Sequence, residues 1–224
     1  MDRALMILGA ALPEMSGEEL AALSIGERDA CLLTLREMTL GPALSCYVEC
    51  PECSEQLEFT TRVEDIRVVP ALQRVPHEHV LRTEGFEVRF RLLTSRDLRS
   101  LAGRRDVAAA RALLLRRSVL GATLGGAEVA VEELPEPVVA ALAAQVAERD
   151  PQAEVLFNLE CPGCSHGWAA TFDVVSFFWT ELSALARRLL AEVHTLARAY
   201  GWREADILAM SSARRRAYLE MVAG

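Results

Sequence analysis

The C-terminal part of the chain carries the most regular pattern of apolar and polar residues. Its apolar positions advance by three or four residues at a time, at Phe178, Leu182, Leu185, Leu189, Val193, Leu196 and Tyr200. This spacing places all seven side chains on one face of an α-helix that Gly201 ends. Two short helices are predicted after it, over residues 204–210 and 211–222.

Alternation of apolar and polar residues predicts strands earlier in the chain. Residues 86–92 alternate apolar and charged side chains, as a strand with one buried face does. Two further strands are expected directly after two Cys-Pro-x-Cys sequences, the first of them ending at Pro70. The alternating positions are Leu57, Phe59, Thr61 and Val63 in one copy and Trp168, Ala170, Phe172 and Val174 in the other. Because both sets lie at the same distances from the cysteines, the two copies repeat one local structure.

Capping residues and helix breakers define the remaining helices. Ser24 and Glu27 have capping-box spacing and begin a helix that ends at Gly41-Pro42. Another helix begins at residues 94–97, and blocks rich in Ala and Leu predict helices over residues 107–120 and 136–149, with a turn at Gly125-Gly126 between them. The arginines of this region indicate a solvated face; they include Arg104, Arg105, Arg116 and Arg117.

The cysteines indicate a metal site. Residues 49–54 and 160–165 are nearly the same hexapeptide, each with two cysteines in Cys-Pro-x-Cys spacing. Two such turns can supply a closed tetrahedral shell for one structural Zn²⁺ per chain. The predicted ligands are Cys50, Cys53, Cys161 and Cys164.

Other roles for these cysteines fit the pattern less well. A redox dithiol of the thioredoxin type precedes a helix, whereas strands follow both pairs here. Four thiolates also leave no position open for a catalytic water. Cys46 and His166 lie beside the two pairs and are expected not to contact the metal. His77-Glu78-His79 is expected to be a solvated turn.

Together these elements predict an α+β fold: a Cys₄ zinc-ribbon β core with a long helical insertion and a helical C-terminal tail. The expected divisions are an N-terminal helical segment (1–45), the first zinc knuckle with its strands (46–93), the helical insertion (94–150), the second knuckle with its strand (151–175) and the tail (176–224).

Composition and missing motifs restrict the function classes. The formal net charge of −8 argues against a general binder of nucleic acid or anionic membranes. The apolar run at residues 4–12 has no convincing cleavage site, and no run approaches the roughly 18 residues of a membrane span, so a soluble, cytoplasmic protein is expected. The chain has no Gly-rich phosphate loop, nucleophile signature or His-Glu metal motif. We therefore expect neither an enzyme nor a small-molecule substrate.

Several motifs, taken in order, resemble one known family. They are Gly26-Glu27-Arg28-Asp29-Ala30, the paired Cys-Pro-x-Cys knuckles, Phe90-Arg91-Leu92 followed by Thr94-Ser95-Arg96-Asp97-Leu98, and the tail sequences at residues 196–210 and 214–219. In this combination the chain resembles the T-even-phage-type baseplate protein family, found in contractile phage tails and related injection systems. The resemblance spans nearly the whole chain, and the tail ending is its most specific part.

The resemblance implies a structural or assembly component of a baseplate. Such a protein binds other baseplate and tail proteins, and it either stays in the finished particle or acts as a chaperone while the particle assembles in the cytoplasm. The tail is the expected partner-binding segment, with anchors of residue types that are enriched in binding hot spots: Trp202, Arg214, Arg215, Arg216 and Tyr218.

The alternative from another class is a zinc-ribbon protein that binds nucleic acid or belongs to the transcription machinery. From residue 181 onward the chain has seven arginines against five acidic residues, and its two short C-terminal helices superficially resemble a helix-turn-helix.

Overall fold

Helices and strands alternate along the chain, which confirms the predicted α+β class. The computed structural model describes residues 3–68 and 78–223. Their helices are α1 (Arg3–Ala11), α2 (Gly17–Ala22), α3 (Ile25–Leu40), α4 (Val63–Ile66), α5 (Ser95–Arg99), α6 (Val107–Ser118), α7 (Glu136–Arg149), α8 (Val174–Tyr200), α9 (Glu204–Leu208) and α10 (Ser212–Ala223). Their strands are β1 (Ala43–Glu49), β2 (Gln56–Arg62), β3 (His79–Thr83), β4 (Phe86–Phe90), β5 (Val119–Leu124), β6 (Ala127–Val129), β7 (Leu156–Glu160) and β8 (Gly167–Thr171). The chain divides into two compact units, Met1–Val175 and Ser176–Gly224.

Helix α3 begins where the sequence predicts. The Glu27 N–H donates to the Ser24 hydroxyl at 3.1 Å, and the Glu27 carboxylate accepts the Ser24 N–H at 2.8 Å, so the capping box is complete. The helix ends at Leu40, because Gly41 takes a φ of 88°. The fully buried side chains of α1, α2 and α3 include Leu8, Leu20, Leu32 and Leu33.

Two antiparallel hairpins carry the Cys-Pro-x-Cys turns at their tips. Strand β1 pairs with β2, and β7 pairs with β8. Half-buried and exposed side chains alternate along β2, β7 and β8, as the sequence predicts. The first exit strand, however, ends at Arg62 rather than at Pro70, which lies outside the described residues. Val63 begins α4 instead, because the Asp65 carboxylate accepts the Arg62 N–H at 2.9 Å and caps the turn.

The repeat extends one step further than the strands. Val63 and Val174 lie at equivalent positions after the two cysteine pairs, both are buried, and each begins a helix. Each copy is therefore a strand, a cysteine turn, a second strand and a helix start.

A four-stranded antiparallel sheet, in the order β3-β4-β5-β6, lies between the two hairpins in the chain. The predicted strand at 86–92 is present as β4, but β3, β5 and β6 were not predicted. The predicted helix over residues 107–120 ends at Ser118, and the chain then forms β5 and β6 around the predicted turn at Gly125-Gly126. Residues 94–150 are therefore not helical throughout. Strands β3, β4 and β5 bury Val88 and Phe90 in one core with Val138 and Leu142 of α7.

His79 is also placed differently from the prediction. It begins β3, and its ring centroid lies 5.3 Å from that of Phe90, so it belongs to the sheet rather than to a solvated turn. His77 lies outside the described residues.

The second unit contains the predicted tail helices. Helices α9 and α10 form with bounds close to those predicted, and a small core buries Val193, Leu196 and Ile207 with Tyr218 and Leu219 packed against it. No helix within residues 3–68 and 78–223 combines the length and the hydrophobicity that crossing a membrane requires.

Candidate metal centre

The two hairpin tips bring four cysteine sulfur atoms together. The sulfurs of Cys50, Cys53, Cys161 and Cys164 all lie within 4.8 Å of one another. The Cys50 and Cys164 sulfurs are 3.7 Å apart, and those of Cys53 and Cys161 are 3.5 Å apart. A tetrahedral ion with metal–sulfur bonds of about 2.3 Å keeps its sulfurs about 3.8 Å apart. The four side chains can therefore hold one metal ion.

Both cysteine turns have the same backbone structure. In each, the first cysteine donates its N–H to the carbonyl five residues later, at 2.9 Å in both turns. Its carbonyl accepts the N–H of the residue four positions later, at 3.0 Å in the first turn and 2.8 Å in the second. That fourth residue is Ser54 or Ser165, with φ of 60° and 58°. The sequence repeat thus produces two matching turns that present their sulfurs in the same way.

The environment of the sulfurs favours thiolate at one of them. Desolvation raises the pKa of the Cys50 thiol, but the backbone N–H groups of Cys53 and Glu52 donate to its sulfur, and the net effect lowers its pKa to about 7. At Cys53 the backbone N–H of Glu55 favours the thiolate, but the sulfurs of Cys164 and Cys161 outweigh it and raise the pKa. Four thiolates this close together require a cation to ionise together, because like charges repel.

Contacts away from the sulfurs also join the two hairpins. The ring centroids of Phe59 on β2 and Phe157 on β7 are 5.3 Å apart, in an edge-to-face arrangement. The buried side chain of Gln152 accepts the Val68 N–H at 2.7 Å and donates to the Ile66 carbonyl at 3.1 Å. Gln152 thereby links the chain before β7 to the chain after β2, so protein contacts as well as the cysteine cluster hold the two hairpins together.

The neighbours Cys46 and His166 lie outside the group of four sulfurs. Cys46 is buried on β1. The His166 imidazole stacks on the Trp168 indole, with ring centroids 6.0 Å apart.

Two of the sequence motifs that begin helices also form buried polar contacts. The Asp97 side chain is 1% exposed, and its carboxylate accepts both Arg91 Nη atoms at 2.7 and 2.8 Å and the Thr94 N–H at 2.9 Å. Burial raises the pKa of Asp97, but these donors outweigh burial and lower its pKa to about 2. Asp97 thus holds the start of α5 against the end of β4.

The second motif lies at the start of α3. The Asp150 carboxylate accepts the Ser24 hydroxyl at 2.8 Å and the Gly26 N–H at 3.0 Å. A Cβ atom on Gly26 would lie 2.1 Å from Asp150 Oδ1, so any larger residue would displace this carboxylate. These partners are separated by more than 120 positions. No local signal in the sequence could identify them.

The predicted partner-binding residues lie on the surface of the tail core. Trp202 is half-buried, with its ring centroid 4.5 Å from that of Tyr200 and 4.8 Å from that of Tyr218. Arg215 pairs with Glu192 at 3.0 Å and donates to the Met210 carbonyl at 2.6 Å. The Arg214 guanidinium lies 5.8 Å from the Tyr218 ring centroid, and Arg216 is exposed.

Comparison with known proteins agrees with the resemblance. A family model described as T4 bacteriophage base plate protein matches residues 9–179. The match contains both cysteine pairs, the start of α3 and the residues around Asp97, but the tail sequences at 196–210 and 214–219 lie beyond it. No curated protein and no solved structure matches the chain. Because the family model matches well over half of the chain, the protein belongs to the T4 bacteriophage base plate protein family.

Proposed function

We propose that the protein is a structural or assembly component of the baseplate of a contractile phage tail or injection system, and that it acts by binding other baseplate proteins. The observation that carries this proposal is the family match over residues 9–179. A baseplate is built from many protein subunits, so a component of it acts through protein–protein contacts.

We further propose that the four cysteines hold one structural Zn²⁺. Zinc suits a tetrahedral set of four sulfurs, and soft thiolate ligands select it over magnesium or calcium. The ion would stabilise the thiolates that crowding otherwise disfavours. It would also cross-link Cys50 to Cys164, which are 114 positions apart. A covalent link that closes a loop of this length stabilises a fold by about 5 kcal/mol on the chain-entropy estimate.

The tail is proposed to supply partner contacts, with Trp202, Arg214, Arg215, Arg216 and Tyr218 as anchors. The small core leaves apolar surface on α8: Leu182, Leu185 and Leu189 are half-buried, and Leu190 is 60% exposed. On α10, the helix that carries the three arginines, Met221 is 68% exposed. Apolar side chains bordered by arginine are typical of a surface that binds protein.

The experiment that tests the proposed function is affinity purification of the tagged full-length chain from cells that assemble the particle, followed by mass spectrometry. We expect other baseplate proteins to co-purify in fixed ratios, either in finished particles or in assembly intermediates. Absence of the chain from both, or co-purification with nucleic acid instead, would overturn the proposal.

A further inference from the structure

Helix α6 is strongly apolar and yet poorly covered. It contains five alanines or valines and three consecutive leucines, Leu113, Leu114 and Leu115. Of its twelve residues, all of them described, Ser118 alone is fully buried. The three leucines are half-buried, and Val107 is 81% exposed. Such a helix normally buries an apolar stripe, so α6 retains apolar surface that the described residues do not cover.

This surface forms one side of a groove. The groove has a volume of about 500 Å³ and lies between α6 and α7. Its walls are mainly apolar and include Val107, Ala110 and Leu114 on α6 and Val139, Leu142 and Val146 on α7. On each helix these residues follow helical spacing over two turns. Val139 and Leu142 also belong to the core beneath the four-stranded sheet, so this wall of the groove is supported by packed structure.

The chain around α6 is the most basic part of an otherwise acidic protein. Residues 96–117 contain seven arginines against two aspartates, whereas the whole chain has a net charge of −8. Four of the arginines form ion pairs: Arg96 with Glu18, Arg111 with Glu136, Arg116 with Glu132 and Arg117 with Asp97. Arg99, Arg104 and Arg105 are exposed and form no ion pair with any residue in 3–68 or 78–223.

The unpaired arginines lie at one end of the groove. Arg104 and Arg105 precede α6 and are followed by Asp106, whose carboxylate caps the helix by accepting the Ala108 N–H at 2.9 Å. The next residue is Val107, whose side chain lines the groove. On the α7 side, Glu136 pairs with Arg111. Arg104 and Arg105 outnumber Asp106, so the segment just before Val107 carries a net positive charge.

We propose that the groove between α6 and α7 binds an amphipathic helix of another baseplate protein, with an apolar face in the groove and acidic side chains beside Arg104 and Arg105. This inference rests on the proposed function. Two helix walls with matching apolar spacing suit a third helix, whereas an extended segment would need an open strand edge to pair with. The helical tail of a second copy of this chain fits poorly, because it carries seven arginines against five acidic residues from residue 181 onward.

Site-specific photo-crosslinking tests the proposal in the full-length protein. A benzophenone amino acid replaces Val107 in the groove or, as the matched control, Ala112, which is exposed on α6 and does not line the groove. We expect position 107 to cross-link, in cells that assemble the particle, to an acidic amphipathic helix of another baseplate protein, and position 112 to give little product. The double variant Arg104→Glu/Arg105→Glu should lower the yield about tenfold, because like charges then face each other.

Co-purification from the same cells separates failure of this proposal from failure of the proposed function. If the chain still co-purifies with baseplate proteins but position 107 gives no cross-link, the groove proposal is wrong and the proposed function stands. A cross-link to a second copy, or to a basic or extended segment, also overturns it. A chain that binds no baseplate protein refutes the proposed function itself.

Discussion

At the scale of single residues, two of the motifs on which the resemblance was based have a structural role. The Asp150 carboxylate accepts hydrogen bonds from Ser24 and Gly26 at the start of α3. The Asp97 carboxylate accepts a hydrogen bond from Arg91 and so joins Arg91 to the start of α5. The capping residues could be identified from the sequence because their partners lie three residues away. Their long-range partners could not, because a carboxylate distant in the chain leaves no periodic signal.

Gly26→Ala should destabilise the protein by roughly 2 to 3 kcal/mol. The new Cβ would meet Asp150 Oδ1 at 2.1 Å and the Ala153 backbone N at 3.0 Å, so the carboxylate would have to leave the helix start. Denaturant unfolding measures the loss. Gly17→Ala is the matched control, because nothing lies within 4 Å of its Cβ position, and it should change stability little. If both variants lost the same amount of stability, the contact with Asp150 would not be the reason for a glycine at position 26.

Asp97→Asn should also destabilise the protein, and by an amount that depends on pH. The folded-state pKa of Asp97 is lowered from 3.8 to about 2, so its ionised form stabilises the fold above about pH 4, and this stabilisation is lost as the pH falls towards 2. At neutral pH the variant should lose roughly 2 to 3 kcal/mol, because a charged hydrogen-bonded pair is broken where the side chain is buried.

The measurement is the difference in unfolding free energy between wild type and Asp97→Asn at a series of pH values. We expect this difference to narrow below about pH 4. Asp29 acts in the opposite direction, because burial raises its pKa to about 6 and its contribution weakens the fold as pH rises from about 4 to 6. Both proteins contain Asp29, so its contribution cancels when their unfolding free energies are subtracted. If the difference in unfolding free energy between the two proteins stayed constant down to pH 3, the ionised Asp97 would not be the source of the stabilisation.

At the scale of elements, the sequence predicts best those that are repeated or strongly periodic. The cysteine hairpins were predicted from a hexapeptide that occurs twice in the sequence. Helix α8 was predicted from its stripe of apolar residues. Strand β5 was missed because Val119 follows an Ala- and Leu-rich block without a helix breaker. The helix ends there through tertiary contacts: the Ser118 hydroxyl donates to the Arg91 carbonyl at 2.7 Å, and the Arg91 N–H donates to the Ser118 carbonyl at 2.8 Å. Strand β6 has three residues, too few for an alternation to be recognised.

Cys50→Ala should abolish metal binding and strongly destabilise the fold. Protein purified without chelator is expected to contain about one zinc per chain by elemental analysis. Loss of one ligand removes both the metal energy and the link between the hairpins, at a cost of several kcal/mol. Cys46→Ala is a matched control, because Cys46 is also a buried cysteine but lies outside the sulfur cluster; this variant should keep its zinc. Zinc-free wild-type protein would rule out the proposed centre.

At the scale of the whole molecule, the sequence predicts the presence of the helical tail but not how its residues are used. Trp202 and Tyr218 pack on each other and on Tyr200, so part of their surface already stabilises the second unit. The groove between α6 and α7 could not be predicted either, because it depends on a sheet whose strands were mostly missed. Both features arise from contacts between elements, and the periodicity of apolar residues within one element does not predict such contacts.

Removal of residues 203–224 should separate folding of the first unit from partner binding. The four cysteines and both hairpins lie in Met1–Val175, so the truncated chain should keep about one zinc and a cooperative unfolding transition. It should no longer associate with the assembling particle, since the deletion removes Arg214, Arg215, Arg216 and Tyr218.

The deletion also removes Ile207, which is buried against Val193 and Leu196, so a variant that leaves this small core intact is needed beside it. Arg214→Glu/Arg216→Glu changes two of the proposed anchors and leaves the core side chains in place. Arg187→Glu/Arg198→Glu, at two exposed positions of α8, is the charge-matched control. We expect the anchor variant to lower association with the particle about tenfold or more, since hot-spot arginines contribute over 1 kcal/mol each, while the control variant associates normally. Normal association of both the truncated chain and the anchor variant would show that the tail is dispensable, and zinc loss on truncation would show that the tail is part of the fold.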